Sequence, residues 1–444
     1  MKKEDILKEI ILELKNPSDF SLNFITSRNG IQCYFSQKSL ALFYNFSNIE
    51  YQNNNDYCSI EFYNFINIIK QCVVDFYTEK KFEDFDNNYG KINLELNKHI
   101  KQSAINQITS YTHYIPVTTL GFERIKTLKL EDIEIISVYT WIDSINIKLN
   151  ECFEEFDYKL YLKNRLLNKE VDIVKETCHW MIESIFNAIK NVDSIIKVSM
   201  KGFDLNYSIK LSNIIAKTTL DSISLFFNSD VFHQQMLISD KSLPIHTHTI
   251  IEINGNINLP GISLSSKIQM ISAYKAHNLL SKQENQEILK YICKVLYGLN
   301  NASNSKSHPM LSSRWATALD WYAEGMREQN DAIALAKIAT ALDVLSNGGR
   351  YKGILSLLKK LFNKESNDVV LHSCFKPITL EEFVKNIYDY GRSKILHGTN
   401  HERLNSFENE RKQATEITRL ALFKCLCLFG NYSGDDLNFG FGEI

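Results

Sequence analysis

Near the end of the chain, in the segment GRSKILHGTN, Arg392 and His397 stand as Arg-x4-His. Together they could serve acid–base chemistry at a phosphate, and cleavage of RNA is one such reaction. RNA cleaves when a 2'-hydroxyl attacks the adjacent phosphorus. That step needs a proton acceptor, a proton donor for the leaving 5'-oxygen and a partner for the added negative charge. Histidine, with a free pKa of about 6.5, serves as base or acid near neutrality. Arginine stays charged and forks onto two phosphate oxygens, which suits the pentacoordinate state. No metal and no cofactor is required, and the ends left would be a 2',3'-cyclic phosphate and a 5'-hydroxyl. The same pair also fits a plainer role, because basic residues just before a stop such as Gly398 favour a helix C-terminus. The spacing alone does not decide between the two, so the context must.

Several neighbours could assist. Asp389, three residues before Arg392, could hold the guanidinium as an i, i+3 pair. Ser393 could bond a phosphate oxygen or face water. Tyr390 and Tyr388 could stack bases or pack in the core. Lys394 and Arg350, with Lys352, Lys359 and Lys360, could form a phosphate-guiding rim or simply a solvated helical face.

The elements that must position these residues are helical. After a polar stretch from Gly298 to Leu311 that reads as a linker, Leu311 to Glu328 places Trp315, Leu319 and Tyr322 at i, i+4 and i+7. Asp331 to Ser346 repeats that face with Ile338, Leu342 and Leu345, and Asn347-Gly348-Gly349 stops it. Tyr351 to Phe362 makes a shorter helix. Thr379 with Glu382 is a capping box that opens a fourth, expected to run through Arg392 to Gly398. Asn405 to Phe429 makes the fifth, and five helices with short connections make a bundle. On an α-helix, Arg392 and His397 would lie about 140° apart around the axis, so one copy presents half a site.

This stretch resembles the Apea-like branch of the HEPN superfamily. The likeness rests on IYDYGRSKILHG, matching an Arg-Ser-x3-His-Gly signature, and on RWATALDWYAEGMREQNDAIALAKIATALDVL, matching an Arg-x3-Ala-Leu-x-Trp-Tyr helix followed by an Ala-Leu-acid-x-Leu helix. It covers residues 305–444, under a third of the chain. The resemblance implies a helical ribonuclease domain with Arg392 and His397 as its catalytic pair. It implies a serine at 393 as usual for that branch, and an acidic residue, Asp343, placed to orient Arg392. It also implies a homodimer that faces two such motifs across one cleft. Which histidine would be base and which acid stays open. Such proteins act in bacterial antiphage defence as toxins of abortive infection, cutting tRNA or mRNA when an amino-terminal region senses a phage-derived trigger.

The rest of the chain narrows the choice. With 444 residues and 44% hydrophobic content, two or three globular domains are expected. Lys plus Arg, 50, nearly balance Asp plus Glu, 52, which excludes an indiscriminate polyanion coat. No run is long and apolar enough for a membrane span. The amino-terminal MKKEDILKEIILELKN reads as an amphipathic helix and not a signal peptide, so a cytoplasmic protein is expected. Residues 1–300 mix helical segments (Lys3 to Leu14, Glu61 to Glu83, Lys91 to Thr109, Leu149 to Lys190, Lys210 to Ile223) with strand-like ones (Gly30 to Phe46, Glu134 to Trp141, Ser194 to Met200, His246 to Ile257). The expected fold is mainly α, a carboxy-terminal bundle preceded by a mixed α+β sensor or regulatory region. His246 with His248, and His372 with Cys374, lack the further ligands of a metal site. Cys425 and Cys427 read as reduced core thiols. No phosphate loop, dinucleotide fingerprint or serine-hydrolase elbow occurs. Two rivals to the nuclease remain: a non-catalytic dimerisation or RNA-binding module, and an antitoxin-like or nucleotide-binding regulator whose partner does the chemistry.

Overall fold

The structure, a computed structural model, describes residues 2–19, 23–119, 121, 127–145, 157–169, 179–227, 232–233, 236, 238, 251–253, 256–258, 278–301, 304–328, 330–372, 377–396, 407–436 and 440–444. The chain is mainly α with an α+β portion, as its pattern predicts. It divides into two compact units, Met1–Thr112 with Ser199–Ser212, and His113–Val198 with Asn213–Ile444.

The first unit is built on α1 (Lys3–Lys15), the hairpin β1 (Phe24–Thr26) and β2 (Gln32–Tyr34), α2 (Gln37–Gln52), α3 (Phe62–Thr78) and α4 (Phe85–Ile105). Leu7, Ile10, Phe43, Phe46, Phe65 and Leu96 are fully buried in its core. The strand expected from Gly30 to Phe46 ends at Tyr34, and the rest is helix α2. The reason is local: the Ser36 hydroxyl accepts the Ser39 N–H at 2.9 Å as an N-cap, and Ser39, Leu42, Phe43, Phe46 and Ser47 form one buried helical face.

In the second unit, β3 (Thr109–Val117), β4 (Thr127–Leu130), β5 (Ile133–Ser137) and β6 (Ser194–Phe203) form a sheet ordered β3-β6-β5-β4, with β3 and β6 each running through a division point. The antiparallel register sets Ile135 opposite Ile196, both buried. Three helices lie between β5 and β6 in the chain: α5 (Val138–Ser144), α6 (Tyr158–Leu166) and α7 (His179–Ile189). After β6 come α8 (Leu205–Ser224) and then the hairpin β7 (Ile251–Ile253) and β8 (Asn256–Asn258).

The bundle begins earlier than expected. Helix α9 (Gln283–Asn300) precedes the polar stretch and packs on both α10 (Pro309–Arg327) and the last helix, α14 (Glu408–Asn431). The Lys294 ammonium donates to the carbonyls of Phe429 at 2.8 Å and Tyr432 at 2.7 Å, where the negative end of the α14 dipole favours a cation. The stretch between Asn300 and Pro309 therefore joins two helices that pack on each other. Pro309 sits at the first turn of α10, the place where its missing N–H costs nothing. Between α10 and α14 lie α11 (Asp331–Leu345), α12 (Arg350–Phe362), the hairpin β9 (Val369–His372) and β10 (Pro377–Thr379), and α13 (Leu380–Lys385). Helices α10 and α11 approach closely, since a Cβ at Gly325 would meet Ile338 Cγ1 at 2.6 Å. The Trp315 indole N–H, fully buried, donates to Leu422 O at 3.0 Å and ties α10 to α14. Cys425 is buried in the same core, and its burial pushes the thiol pKa up.

Candidate active site

Thr379 and Glu382 form the capping box at the start of α13, as expected. Beyond Lys385 the helix changes character. Asn386–Ser393 is wound as a π-helix and returns to one α turn at Lys394–Leu396. The continuous α-helix anticipated through Arg392 is thus replaced by a wider coil, a form often found at functional sites. Gly391 explains part of the placement: a Cβ there would meet Leu335 Cδ2 at 2.8 Å, so a larger residue would require Leu335 or the coil to shift. Ile387 and Tyr388 are buried on the same side.

The coil sets Arg392 against α11. Its Nε–H donates to Thr340 Oγ1 at 3.0 Å and its Nη1 donates to Tyr388 Oη at 3.2 Å. Its guanidinium lies 5.2 Å from the Tyr388 ring centroid. Its Nη2 stands 3.5 Å from Asp343 Oδ2. Asp343 works in two directions, because its Oδ1 accepts the backbone N–H of Arg350 at 2.8 Å. One carboxylate thereby fixes the first turn of α12 and faces Arg392. Arg350 itself is exposed and has a φ of 54°, so its backbone holds a left-handed conformation where that bond is made.

Asp389 does not take the role considered for it. Among the described residues the carboxylate paired with Arg392 is Asp343, and Asp389 makes no ion pair with it. On the wider π coil, residues i and i+3 no longer lie one above the other. Ser393 is half-buried and Lys394 exposed. Tyr390 projects with 47% of its surface exposed, between the Lys394 ammonium, 4.6 Å from the ring centroid, and the Lys385 ammonium at 5.9 Å. Tyr388, by contrast, is a core residue whose hydroxyl and ring serve Arg392. His397 and Gly398 lie outside the described residues, as do His246, His248 and Cys374. Among the described residues no group of three or more His, Cys, Asp or Glu could hold a metal ion.

Thr340 is the contributor that sequence reading passed over. It precedes Asp343 by three positions on α11, so both face the same side of that helix. That spacing was the available signal. The assembled site is a cation held by a hydroxyl, a phenol and a carboxylate beside an exposed, lysine-flanked aromatic ring. Such a group can bind an anion and neutralise charge developing on it. Comparison with known proteins finds no significant match among family models, curated proteins or solved structures. No helix among the described residues is long and apolar enough to cross a membrane.

Proposed function

We propose that residues 305–444 form an Apea-like HEPN ribonuclease domain that cleaves RNA without metal by 2'-hydroxyl attack, leaving 2',3'-cyclic phosphate ends. One observation carries the reading: Arg392, of the sequence motif, is a part-exposed cation oriented by Thr340, Asp343 and Tyr388 from inside the bundle. A guanidinium so fixed meets a pentacoordinate phosphorus without paying orientation entropy at that moment. His397 supplies the proton transfer. Tyr390, exposed and close to the Lys385 and Lys394 ammonium groups, offers an aromatic contact for a base next to phosphate-binding cations. The domain acts as a homodimer, with two motifs facing one cleft. In the cell the protein is a cytoplasmic antiphage toxin, its earlier region responding to a phage-derived trigger and its substrate a tRNA or mRNA.

A second reading is a non-catalytic dimerisation or RNA-binding module, favoured by the fact that the Arg392 guanidinium already has three partners within the chain. One assay separates the two. Purified wild type, Arg392→Ala and His397→Ala are incubated with total RNA in EDTA and the new ends are mapped. The nuclease reading expects cyclic phosphate ends from wild type and a loss of about 100-fold or more in each variant. Cutting that requires a divalent metal, or that survives both substitutions, sinks it.

A further inference from the structure

We propose that a lysine-lined pocket along α12 is a second phosphodiester-binding subsite, which grips the backbone of an RNA strand away from the bond to be cut. The inference rests on the ribonuclease reading above. The pocket encloses about 670 Å³ and is lined by Lys352, Ser356, Lys359 and Lys360 on α12 and by Lys364 and Ser366 just beyond it. Positions 352, 356, 359 and 363 follow helical spacing, so they make one face of α12. At a rise of about 1.5 Å per residue the helical face extends for roughly 15 Å from Lys352 to the end of α12 at Phe362.

The charges on this face are unequal in what they already do. Lys359 pairs with Glu365 at 2.6 Å. The Lys360 ammonium donates to the backbone oxygens of Gly442 at 3.0 Å and Ile444 at 2.8 Å. The other carboxylate of the pocket, Asp368, accepts the Glu365 N–H at 2.8 Å. Lys352 and Lys364 are exposed, and neither ammonium has a partner among the described residues.

Helix stability accounts for some of these residues and not for Lys352. Cations in the last turn, Lys359 and Lys360, complement the negative end of the helix dipole. Arg350 and Lys352 stand in the first turn, where a cation is disfavoured and where α12 carries no acidic residue. Cations therefore stand at both ends of α12, and Asp343 joins the first of these ends to Arg392. The lining offers ammonium, hydroxyl and amide donors and no aromatic ring, which suits phosphate oxygens and reads no base. Such a lining would hold a strand irrespective of its sequence.

The test uses Arg392→Ala protein, so that RNA stays whole, and compares it with the same protein carrying Lys352→Ala and Lys364→Ala. Binding of a fluorescent single-stranded RNA oligonucleotide is measured across a salt series. Loss of two phosphate contacts should flatten the slope of log K against log salt by about 1.4. Lys352→Arg with Lys364→Arg should retain the slope, as should Lys91→Ala with Lys98→Ala on α4. An unchanged slope in the lysine-to-alanine protein, or no RNA binding by any form, overturns the proposal. If the slope flattens but protein retaining Arg392 leaves the oligonucleotide intact in EDTA, the subsite stands and the nuclease reading falls.

Discussion

Two arginine–aspartate pairs in the same compact unit differ in how deeply they are buried and in what surrounds them. Arg327, at the end of α10, pairs with Asp221 of α8, and donates from Nε to His233 O at 2.6 Å and from Nη1 to Glu324 Oε1 at 3.3 Å. Its side chain is 11% exposed and that of Asp221 only 1%. Arg392 and Asp343 are 24% and 12% exposed, and their closest charged atoms are 3.5 Å apart. The residue types are the same. The first pair is sealed and turned inward, so it can only hold helices together. The second is supported from behind and open in front, which is what a group that meets a ligand requires.

Breaking the sealed pair should have the largest effect. Arg327→Ala leaves Asp221 buried without its cation, which costs on the order of 3–5 kcal/mol and should appear as a large fall in the denaturant midpoint. The pH dependence follows from the same carboxyl. Burial pushes its pKa up, yet Arg327, His233 and Lys217 together hold it below the ordinary carboxylate value. A depressed pKa means that the stabilisation is present above the unfolded-state pKa of about 3.9 and is lost as pH falls through the lower folded-state value. Urea midpoints of wild type and Asp221→Asn should therefore differ at neutral pH and converge in acid. A difference that persists unchanged at the lowest pH would mean that Asp221 is not ionised in the fold.

The open pair should behave in the opposite sense. Arg392→Ala is expected to lower the cleavage rate by about 100-fold, equivalent to roughly 2.7 kcal/mol of barrier, while moving the unfolding midpoint far less than Arg327→Ala. Single-turnover cleavage and urea titration of the two variants test the contrast directly. If Arg392→Ala is as destabilising as Arg327→Ala, the distinction between the pairs collapses.

The sequence reveals unequal shares of this contrast. The capping box at Thr379, the buried faces of α10 and α11 and the Arg392 position were all legible, because each depends on local spacing. Helix α2 was not, since Gln32-Cys33-Tyr34 begins a real strand and only the Ser36 cap turns the chain into a helix. Helix α9 was overlooked although Leu289, Ile292, Leu296 and Leu299 recur at helical spacing, because the polar residues after it suggested a boundary. The π coil left no comparable mark. An α-helix suits the same residues, and the wider winding lies where Gly391 packs on Leu335, a contact between distant parts of the chain. His397 can be assessed by its chemistry alone, as it lies outside the described residues.

Finer substitutions sharpen the comparison by removing the supports of Arg392 singly. Asp343→Asn keeps an oxygen for the Arg350 N–H but deletes the charge facing Arg392, so a rate loss of about tenfold, or roughly 1.4 kcal/mol, is expected. Thr340→Val should do least. It preserves the shape of α11 and removes one acceptor, and the Arg392 Nε–H it releases lies on a side chain with access to water. Hydrogen bonds to charged groups contribute about 1.5–3 kcal/mol net, and water can replace part of this one, so the stability change should fall below that range and the rate should drop only a few-fold. Cleavage assays on Thr340→Val, Asp343→Asn and the double variant measure how the supports are coupled. Losses that multiply indicate independent supports, whereas a double variant no worse than Asp343→Asn shows that the hydroxyl acts only once the carboxylate has placed the guanidinium. A Thr340→Val enzyme as slow as Arg392→Ala would mean that the open pair depends on its hydroxyl, and that the carboxylate shared with Arg350 belongs to the fold, as Asp221 does.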